Sequence, residues 1–381
     1  MSWEMKSLDK LGYVSRGRSR HRPRDAAHLY GGPYPFIQTS DVKYAGLYVT
    51  EYSQTYSEDG LAQSKLWKSG TLCITIAANI ADTAILCIDA CFPDSVIGFI
   101  PEKDKADARF VKYLFDAHLQ RRYKKFTQGA AQDNLSQGKL LSLKFPIPGI
   151  HEQRVIANKL SAYDDLIENN RRRIQLLEQA AWLLYREWFV YFRFPGHEHV
   201  TITDGLPEGW EKKSLGDLVN IRKGKNITKD TANEGEVPVV AGGLTPAYFH
   251  DTSNANAPVI TISASGANAG YVNIYHEDIW ASDCSYISKE AVDYPYYYYQ
   301  FLISKQKEIF GLQRGAAQPH VYPKDLMQIS VINPPNKVIR LFEETVLCEF
   351  LLINKLIKQN KSLGKARDLL LPRLMNGEMA V

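Results

Sequence analysis

The sequence predicts an α+β fold: two strand-rich globular units separated by two long antiparallel coiled-coil helices, with a pseudo-twofold internal repeat. Three observations carry this. Residues 152–189 hold an unbroken four-three spacing at Ile156, Leu160, Tyr163, Ile167, Asn170, Ile174, Leu177, Ala181, Leu184 and Trp188. That is the heptad seam of a helix packed along another helix. An offset of 186 residues turns this series into Phe342, Val346, Glu349, Ile353, Leu356, Asn360, Leu363, Arg367, Leu370 and Leu374, a rougher seam that stays apolar at most of the same places. The register also holds upstream. Gly129-Ala130-Ala131-Gln132 returns as Gly315-Ala316-Ala317-Gln318, Leu140 as Leu326, Pro148 as Pro334, and Ile74-Thr75-Ile76 as Ile260-Thr261-Ile262. Each copy is a globular segment followed by a long helix. The chain therefore divides into a first unit at 1–149, a central long helix and linker at 150–200, a second unit at 201–335 and a C-terminal long helix at 336–381.

Taken in order, the chain opens with Ser2-Trp3-Glu4-Met5-Lys6-Ser7-Leu8, and a near copy from Gly209 to Leu215 opens the second half at an offset of 207. The first unit thus carries about a score of extra residues before Ile74. Short β-type runs follow at 34–38, 72–77, 84–88 and 95–100, separated by Gly, Pro and Asp turn chemistry. Residues 107–123 read as the one amphipathic helix of that unit. The second unit repeats the theme with strands at 237–240, 259–263, 271–275 and 279–288 and a helix over 296–309. The first long helix starts after Pro146-Ile147-Pro148-Gly149, which preclude an earlier start. About 40 helical residues span roughly 60 Å, more than either unit, so a lone helix would leave its seam in water. Each helix needs the other, and an antiparallel pair is the simplest closure. Asn170 and Asn360 are either solvated or polar seam residues that fix register.

The bulk composition sets wide limits. The 381 residues, 45% hydrophobic and 23% charged, suit two or three ordinary soluble domains. A net charge of +4 leaves nucleic-acid binding to local patches. Five cysteines with no CxxC pair argue for a reducing compartment and against a disulfide scaffold or zinc module. The first residues lack an apolar signal region and no apolar run reaches membrane-spanning length, so the expectation is a cytoplasmic protein.

Basic residues are locally concentrated. Arg16, Arg18, Arg20, Arg22 and Arg24 alternate with Gly17, Ser19, His21 and Pro23. In an extended loop, period-two spacing puts five guanidiniums on one side, ready for phosphates or guanine edges. The competing reading is a solvated charged loop. Arg121, Arg122, Lys124 and Lys125 end the helix of the first unit, where cations also suit the helix dipole. The second unit offers a shorter basic loop, Arg222-Lys223-Gly224-Lys225-Asn226. Ser265 and Asn268 lie in a small polar loop able to approach DNA closely, although turn chemistry explains them equally well. The duplication places one amide, Gln132 and Gln318, in both units.

The whole chain resembles the specificity subunit of type I restriction–modification systems. The resemblance lies in the order domain, helix, domain, helix, and in local signatures. These include Pro146-Ile147-Pro148 leading into Glu152-Gln153-Arg154-Val155-Ile156-Ala157, the run from Leu183 through Phe194-Pro195-Gly196, Leu206-Pro207-Glu208-Gly209-Trp210, and the run Leu370 to Glu378. Asn336-Lys337-Val338 departs from the usual Glu-Gln start of the helix, which leaves the start of the second long helix open. The resemblance implies two target recognition domains, each reading half of a bipartite site on double-stranded DNA, with the helices setting the unread spacer. It also implies a non-catalytic chain that binds no cofactor. S-adenosylmethionine, ATP and Mg would belong to the partners, two modification (methyltransferase) subunits and the restriction (motor-nuclease) subunits.

Other motif-like strings carry less. Asn333-Pro334-Pro335-Asn336 resembles the Asn-Pro-Pro-aromatic motif of amino-methyltransferases but ends in Asn. Residues 12–19, GYVSRGRS, have Arg where a phosphate-binding loop needs Lys. His197-Glu198-His199 sits in a linker, and no metal site is expected. Two further readings stay open: a coiled-coil scaffold whose globular units bind protein, and a fused DNA methyltransferase, for which a cofactor loop is missing.

Overall fold

The computed structural model describes residues 3–77, 80–120, 135–315 and 318–379. The chain forms two compact units, Met1–Arg171 with Ile357–Val381, and Arg172–Leu356. Each unit thus contains a globular head together with part of each long helix.

In the first unit, strand Glu4–Lys6 pairs antiparallel with Phe145–Ile147, so the head closes where its helix begins. Trp3 seals this joint, donating from Nε1 to Glu152 at 3.2 Å and meeting Phe110 edge-on. The main sheet runs in the order Gly12–Arg16, Val96–Pro101, Leu72–Thr75, Thr83–Leu86 and Tyr48–Val49, with only the last pairing parallel. Leu72–Thr75 and Thr83–Leu86 are buried throughout, which is why they read as continuous apolar runs. A further antiparallel pair, Tyr30–Phe36 with Gln54–Tyr56, and helices Thr39–Tyr44 and Glu58–Ala62 complete this head.

Of the helix expected over 107–123, the described residues are α-helical from Ala108 to Phe115 and then widen into a π-turn, Asp116–Gln120, and 121–123 lie outside the described residues. Asp107 caps it, accepting from the amides of Arg109 at 2.9 Å and Phe110 at 3.4 Å. It is not the one helix of its head: Thr39–Tyr44, Glu58–Ala62 and Gln137–Ser142 join it. These are too short to show a 3.6-residue period.

The second head uses Val259–Ser263 at the centre of a sheet with Val272–Tyr275, Cys284–Ile287 and Arg222–Lys223, beside a smaller sheet of Tyr248–His250, Val237–Val240 and Trp280–Ala281. Residues 279–288, expected as one strand, therefore split. Trp280–Ala281 runs parallel to Val239–Val240 in one sheet, whereas Cys284–Ile287 pairs with Val259–Ser263 in the other. The chain changes sheets at Ser282–Asp283. The helix expected over 296–309 also divides, into Pro295–Ser304 and Gln306–Gly311.

The sheets correct one repeat assignment. Ile97 faces both Arg16 and Ile74, while Ser285 faces both Lys223 and Ile262. Ile74 therefore corresponds to Ile262, not Ile260. A slip of two residues keeps every side chain on its own face, so the sequence pattern is blind to it. Ala81 and Gly270 then fall at equivalent left-handed positions, φ 66° and 88°.

The long helices are Ile150–Tyr185, continued by a π-turn Arg186–Val190, and Asn336–Met375. Asn336 follows Pro334-Pro335 directly, so the second helix starts without the Glu-Gln pair. Within the first unit the helices run antiparallel: Asp164 meets Arg367, and Asn170 meets Asn360. Ile156, Leu160 and Ile167 are buried there, with Leu363 and Leu370 half-buried. In the second unit Phe342, Val346, Ile353 and Leu356 are buried, and Ile174, Leu177 and Leu184 are half-buried against them. Tyr185, Trp188 and Phe189 close around Phe342.

Asn170 is 0% exposed. Its amide donates to Asn360 Oδ1 at 2.9 Å and Gln359 Oε1 at 3.1 Å, and Asn360 donates to the Ile167 carbonyl at 3.4 Å. The asparagines are thus a polar layer inside the helix pair. Among the described residues no helix is long and apolar enough to cross a membrane.

Candidate nucleic-acid interface

Both heads build the same notch. In the first, the chain leaves strand Gly12–Arg16 and lies across the turn 92–96, with Gly17 donating to the Val96 carbonyl at 2.8 Å and Arg18 to that of Phe92 at 3.0 Å. In the second, Gly224 donates to the Cys284 carbonyl at 2.8 Å and Lys225 to that of Ala281 at 2.9 Å. The turns are the places where the chain crosses from one sheet to the other. In both heads the basic segment donates to carbonyls at this crossing, and Asn254 adds a second donor to Ala281 at 3.0 Å.

Only glycine fits beneath. A Cβ on Gly17 would run into the carbonyls of Phe92 and Pro93, and one on Gly224 into those of Ala281 and Ser282. The result is a basic-glycine-basic triplet, Arg16-Gly17-Arg18 and Lys223-Gly224-Lys225, pressed glycine-down onto an aspartate-bearing turn, with Asp94 in one head and Asp283 in the other.

The five arginines are all exposed, and Gly17 and Ser19 between them are buried. The alternation does not carry all five to one side. The chain turns beyond His21, and Arg24 folds back to grip both oxygens of Asp94 at 3.0 and 3.1 Å. Arg16 donates to the Asp94 backbone carbonyl at 2.7 Å, and Arg22 turns to the carbonyls of Ser19 and His21. Arg18 and Arg20 hold no side-chain hydrogen bond or ion pair among the described residues. Their backbone is pinned instead, because Ser64 donates to the Arg18 carbonyl at 2.8 Å and Gln63 accepts from the Arg20 and His21 amides at 2.6 and 3.1 Å. The residues after helix Glu58–Ala62 thus fix the arginine loop while leaving two guanidiniums available.

In the second head Lys223, Lys225 and Asn226 are exposed. Ser265 and Asn268 sit on the loop after strand Val259–Ser263. Ser265 donates its hydroxyl to Asp283, and Asn268 its amide to the Gly242 carbonyl at 3.5 Å. The loop bearing Gln318 closes on the same place: Gly266 donates to the Pro319 carbonyl at 3.0 Å, Val321 to that of Ala264 at 2.9 Å, and Ser265 bridges His320. Lys225, Ser265, Asn268 and Gln318, distant in sequence, therefore lie on segments that meet around one turn. Arg121, Lys124 and Gln132 lie outside the described residues.

Sequence reasoning missed Asp94, Asp283 and Gln63. An aspartate in both crossover turns was the available signal, but a search for basic residues passes over it. The other strings resolve structurally. Gly12–Arg16 is a strand with no helix following, so it cradles no phosphate in the manner of a phosphate-binding loop. Asn333-Pro334-Pro335-Asn336 is the joint between strand Ser330–Asn333 and the second long helix. No cluster of metal-ligating side chains occurs among the described residues.

A family model described as the type I restriction modification DNA specificity domain matches residues 1–179 and 207–339. The type I restriction enzyme MjaIX specificity subunit of Methanocaldococcus jannaschii is 26% identical over 408 residues, covering 100% of this chain and 94% of the relative. A putative type I specificity subunit of Mycoplasma genitalium is 26% identical over 280 residues, covering 70% of each chain. The crystal structure of a type I restriction-modification system S subunit from M. genitalium superposes with a TM-score of 0.59 at 19% identity, covering 98% of this chain and 96% of that one. With the matched regions spanning both heads and the start of each long helix, the chain belongs to the type I restriction modification DNA specificity family.

Proposed function

We propose that this chain is the DNA-recognition subunit of a type I restriction–modification complex, non-catalytic itself, with each head reading one half of a bipartite site. The observation that carries this reading is the duplicated notch: each head presents a cationic pair, flanking a glycine, at the crossover turn of its sheets. Phosphate contacts from such residues position a protein on a duplex, and neighbouring polar side chains read base edges. Arg18, Arg20, Lys223 and Lys225 are assigned here to phosphates, and Ser265, Asn268 and Gln318 to the base-facing side of the second head.

The helix pair would separate the two half-sites by a fixed unread spacer and dock two modification subunits, with the restriction subunits joining that assembly in the cytoplasm. S-adenosylmethionine, ATP and Mg would then be held by those partners. The test is co-expression with the modification partner, followed by sequencing of methylated positions in the host. A methylated split motif, two short blocks around a fixed gap, is the expected result. A soluble complex that leaves no new methylation would overturn the reading.

A further inference from the structure

The two crossover turns share an aspartate but not its partner. Asp94 is neutralised by Arg24, which grips both of its oxygens, with side chains 38% and 50% exposed. Asp283 occupies the corresponding turn and forms no ion pair among the described residues. One oxygen accepts the Ser265 hydroxyl, which fixes the orientation of the carboxylate. Ser265 is in turn held on a rigid platform: its neighbour Gly266 is hydrogen-bonded to Pro319, and Ala264 accepts from Val321. The basic segment lies directly over the turn, through the Lys225 amide on Ala281 and the Ile227 amide on the Ser282 hydroxyl at 3.3 Å.

A partly exposed, oriented carboxylate beside a basic segment is an unusual thing to present to a polyanion. An ionised carboxylate only accepts hydrogen bonds, so phosphates and the keto oxygens of guanine and thymine repel it. The donors that a base edge offers in the major groove are the amino groups of cytosine N4 and adenine N6. Lys223 and Lys225 supply the phosphate attraction that offsets the repulsion.

We propose that Asp283 is a specificity-determining residue of the second head, its carboxylate accepting from the exocyclic amino group of one cytosine or adenine in the major groove. This rests on the DNA-recognition reading above. In the first head the corresponding aspartate is already held by Arg24, and among the described residues the groups left available beside it are the guanidiniums of Arg18 and Arg20. The heads therefore differ in chemical sense as well as in sequence, one donating and one accepting at the same turn.

The test pairs a protein change with a base change. The full chain, in complex with its modification partner, is titrated with duplexes carrying the split motif, in which each adenine or cytosine of one block is replaced in turn by its analogue lacking the amino group. At one position the deletion should weaken binding about tenfold for the unaltered protein and hardly at all for Asp283→Ala. If the alanine variant at 283 does not fold, Asp283→Asn preserves an acceptor for the Ser265 hydroxyl, and the dependence should fall at least about threefold. A Kd for Asp283→Ala or Asp283→Asn that responds to every amino deletion as the unaltered protein does overturns the inference while leaving DNA recognition intact. Absence of binding to any split motif overturns DNA recognition itself.

Discussion

Replacing Arg367 by methionine tests how the C-terminal helix is fastened to the first head. Arg367 donates to Asp164, whose side chain is 8% exposed, and Asp164 also accepts the Tyr113 hydroxyl at 2.5 Å. Tyr113 lies on Ala108–Phe115, Asp164 on the first long helix and Arg367 on the second, so three elements converge on one carboxylate. Burial first, and then the adjacent carboxylate, push the Tyr113 hydroxyl well above its ordinary range. Tyr113 therefore stays a neutral donor. Breaking a buried pair by deleting one partner costs about 3–5 kcal/mol, because the remaining charge is stranded. The guanidinium is 29% exposed, so solvent screens part of the interaction. The tyrosine bond also remains, which brings the expected cost to about 2–3 kcal/mol. Through native-state hydrogen exchange that is a roughly 30- to 150-fold acceleration of amides in Ala108–Phe115, with Pro295–Ser304 of the second unit as an internal control. Asp164→Asn leaves Arg367 its second carboxylate, Asp368 at 2.8 Å, and should cost less. In the double variant the two losses should overlap by about 1–2 kcal/mol. Fraying confined to the last helical turns around Arg367, with Ala108–Phe115 unchanged, would refute the idea that this cluster joins the three elements.

Three more tests address the interface, the seam and a buried carboxylate. Arg18→Gln with Arg20→Gln should lower the slope of log K against log salt for DNA binding by about two, one per lost phosphate contact. Arg24→Gln, already committed to Asp94, should change that slope little; equal effects would place the free guanidiniums elsewhere. Replacing Asn170 and Asn360 together by leucine should raise the melting temperature while loosening register, since a buried polar layer specifies alignment at a cost in stability. A lower melting temperature would mean that the layer stabilises outright. Glu343 accepts from the Tyr296 and Tyr297 amides at 3.1 and 2.9 Å, yet burial pushes its carboxyl from 4.5 up to about 7. A group raised in the folded state stabilises fully below its unfolded value and loses that contribution as pH rises through the folded one. The second unit should therefore lose stability from about pH 4.5 to 7, and Glu343→Gln should flatten that part of the profile, as urea titrations at several pH values would show.

The long helices were legible because their signal is local and repeated: a four-three spacing survives both copies, and Asn170 and Asn360 mark the same layer. Strand order was less legible. Residues 279–288 read as one strand because nothing in an apolar run records which sheet each part joins, and the change occurs at Ser282–Asp283 without a glycine or proline. The slip between Ile260 and Ile262 escaped for a different reason, since a period of two is unchanged by a shift of two. For the arginine loop, composition disclosed the charge but not its disposition. Arg24 is taken up by Asp94, and the loop is pinned by Gln63 and Ser64, residues some 40 to 70 positions away.

What the duplication kept and what it changed follow different physical rules. Gly17 and Gly224 sit where a Cβ would strike backbone carbonyls, and a carbonyl in a crossover turn cannot move without unpairing the strands on either side. The glycine is therefore dictated by the scaffold. The residues flanking it face solvent in both heads, Arg16 and Arg18 in one, Lys223 and Lys225 in the other, and they are constrained only by what they meet. The aspartate of the turn lies between these extremes, held by Arg24 in the first head and by Ser265 in the second. A change of partner at that one carboxylate alters what the surface offers a base without disturbing either sheet. A duplicated head can thus diverge in what it reads while the fold that presents the reading residues stays the same.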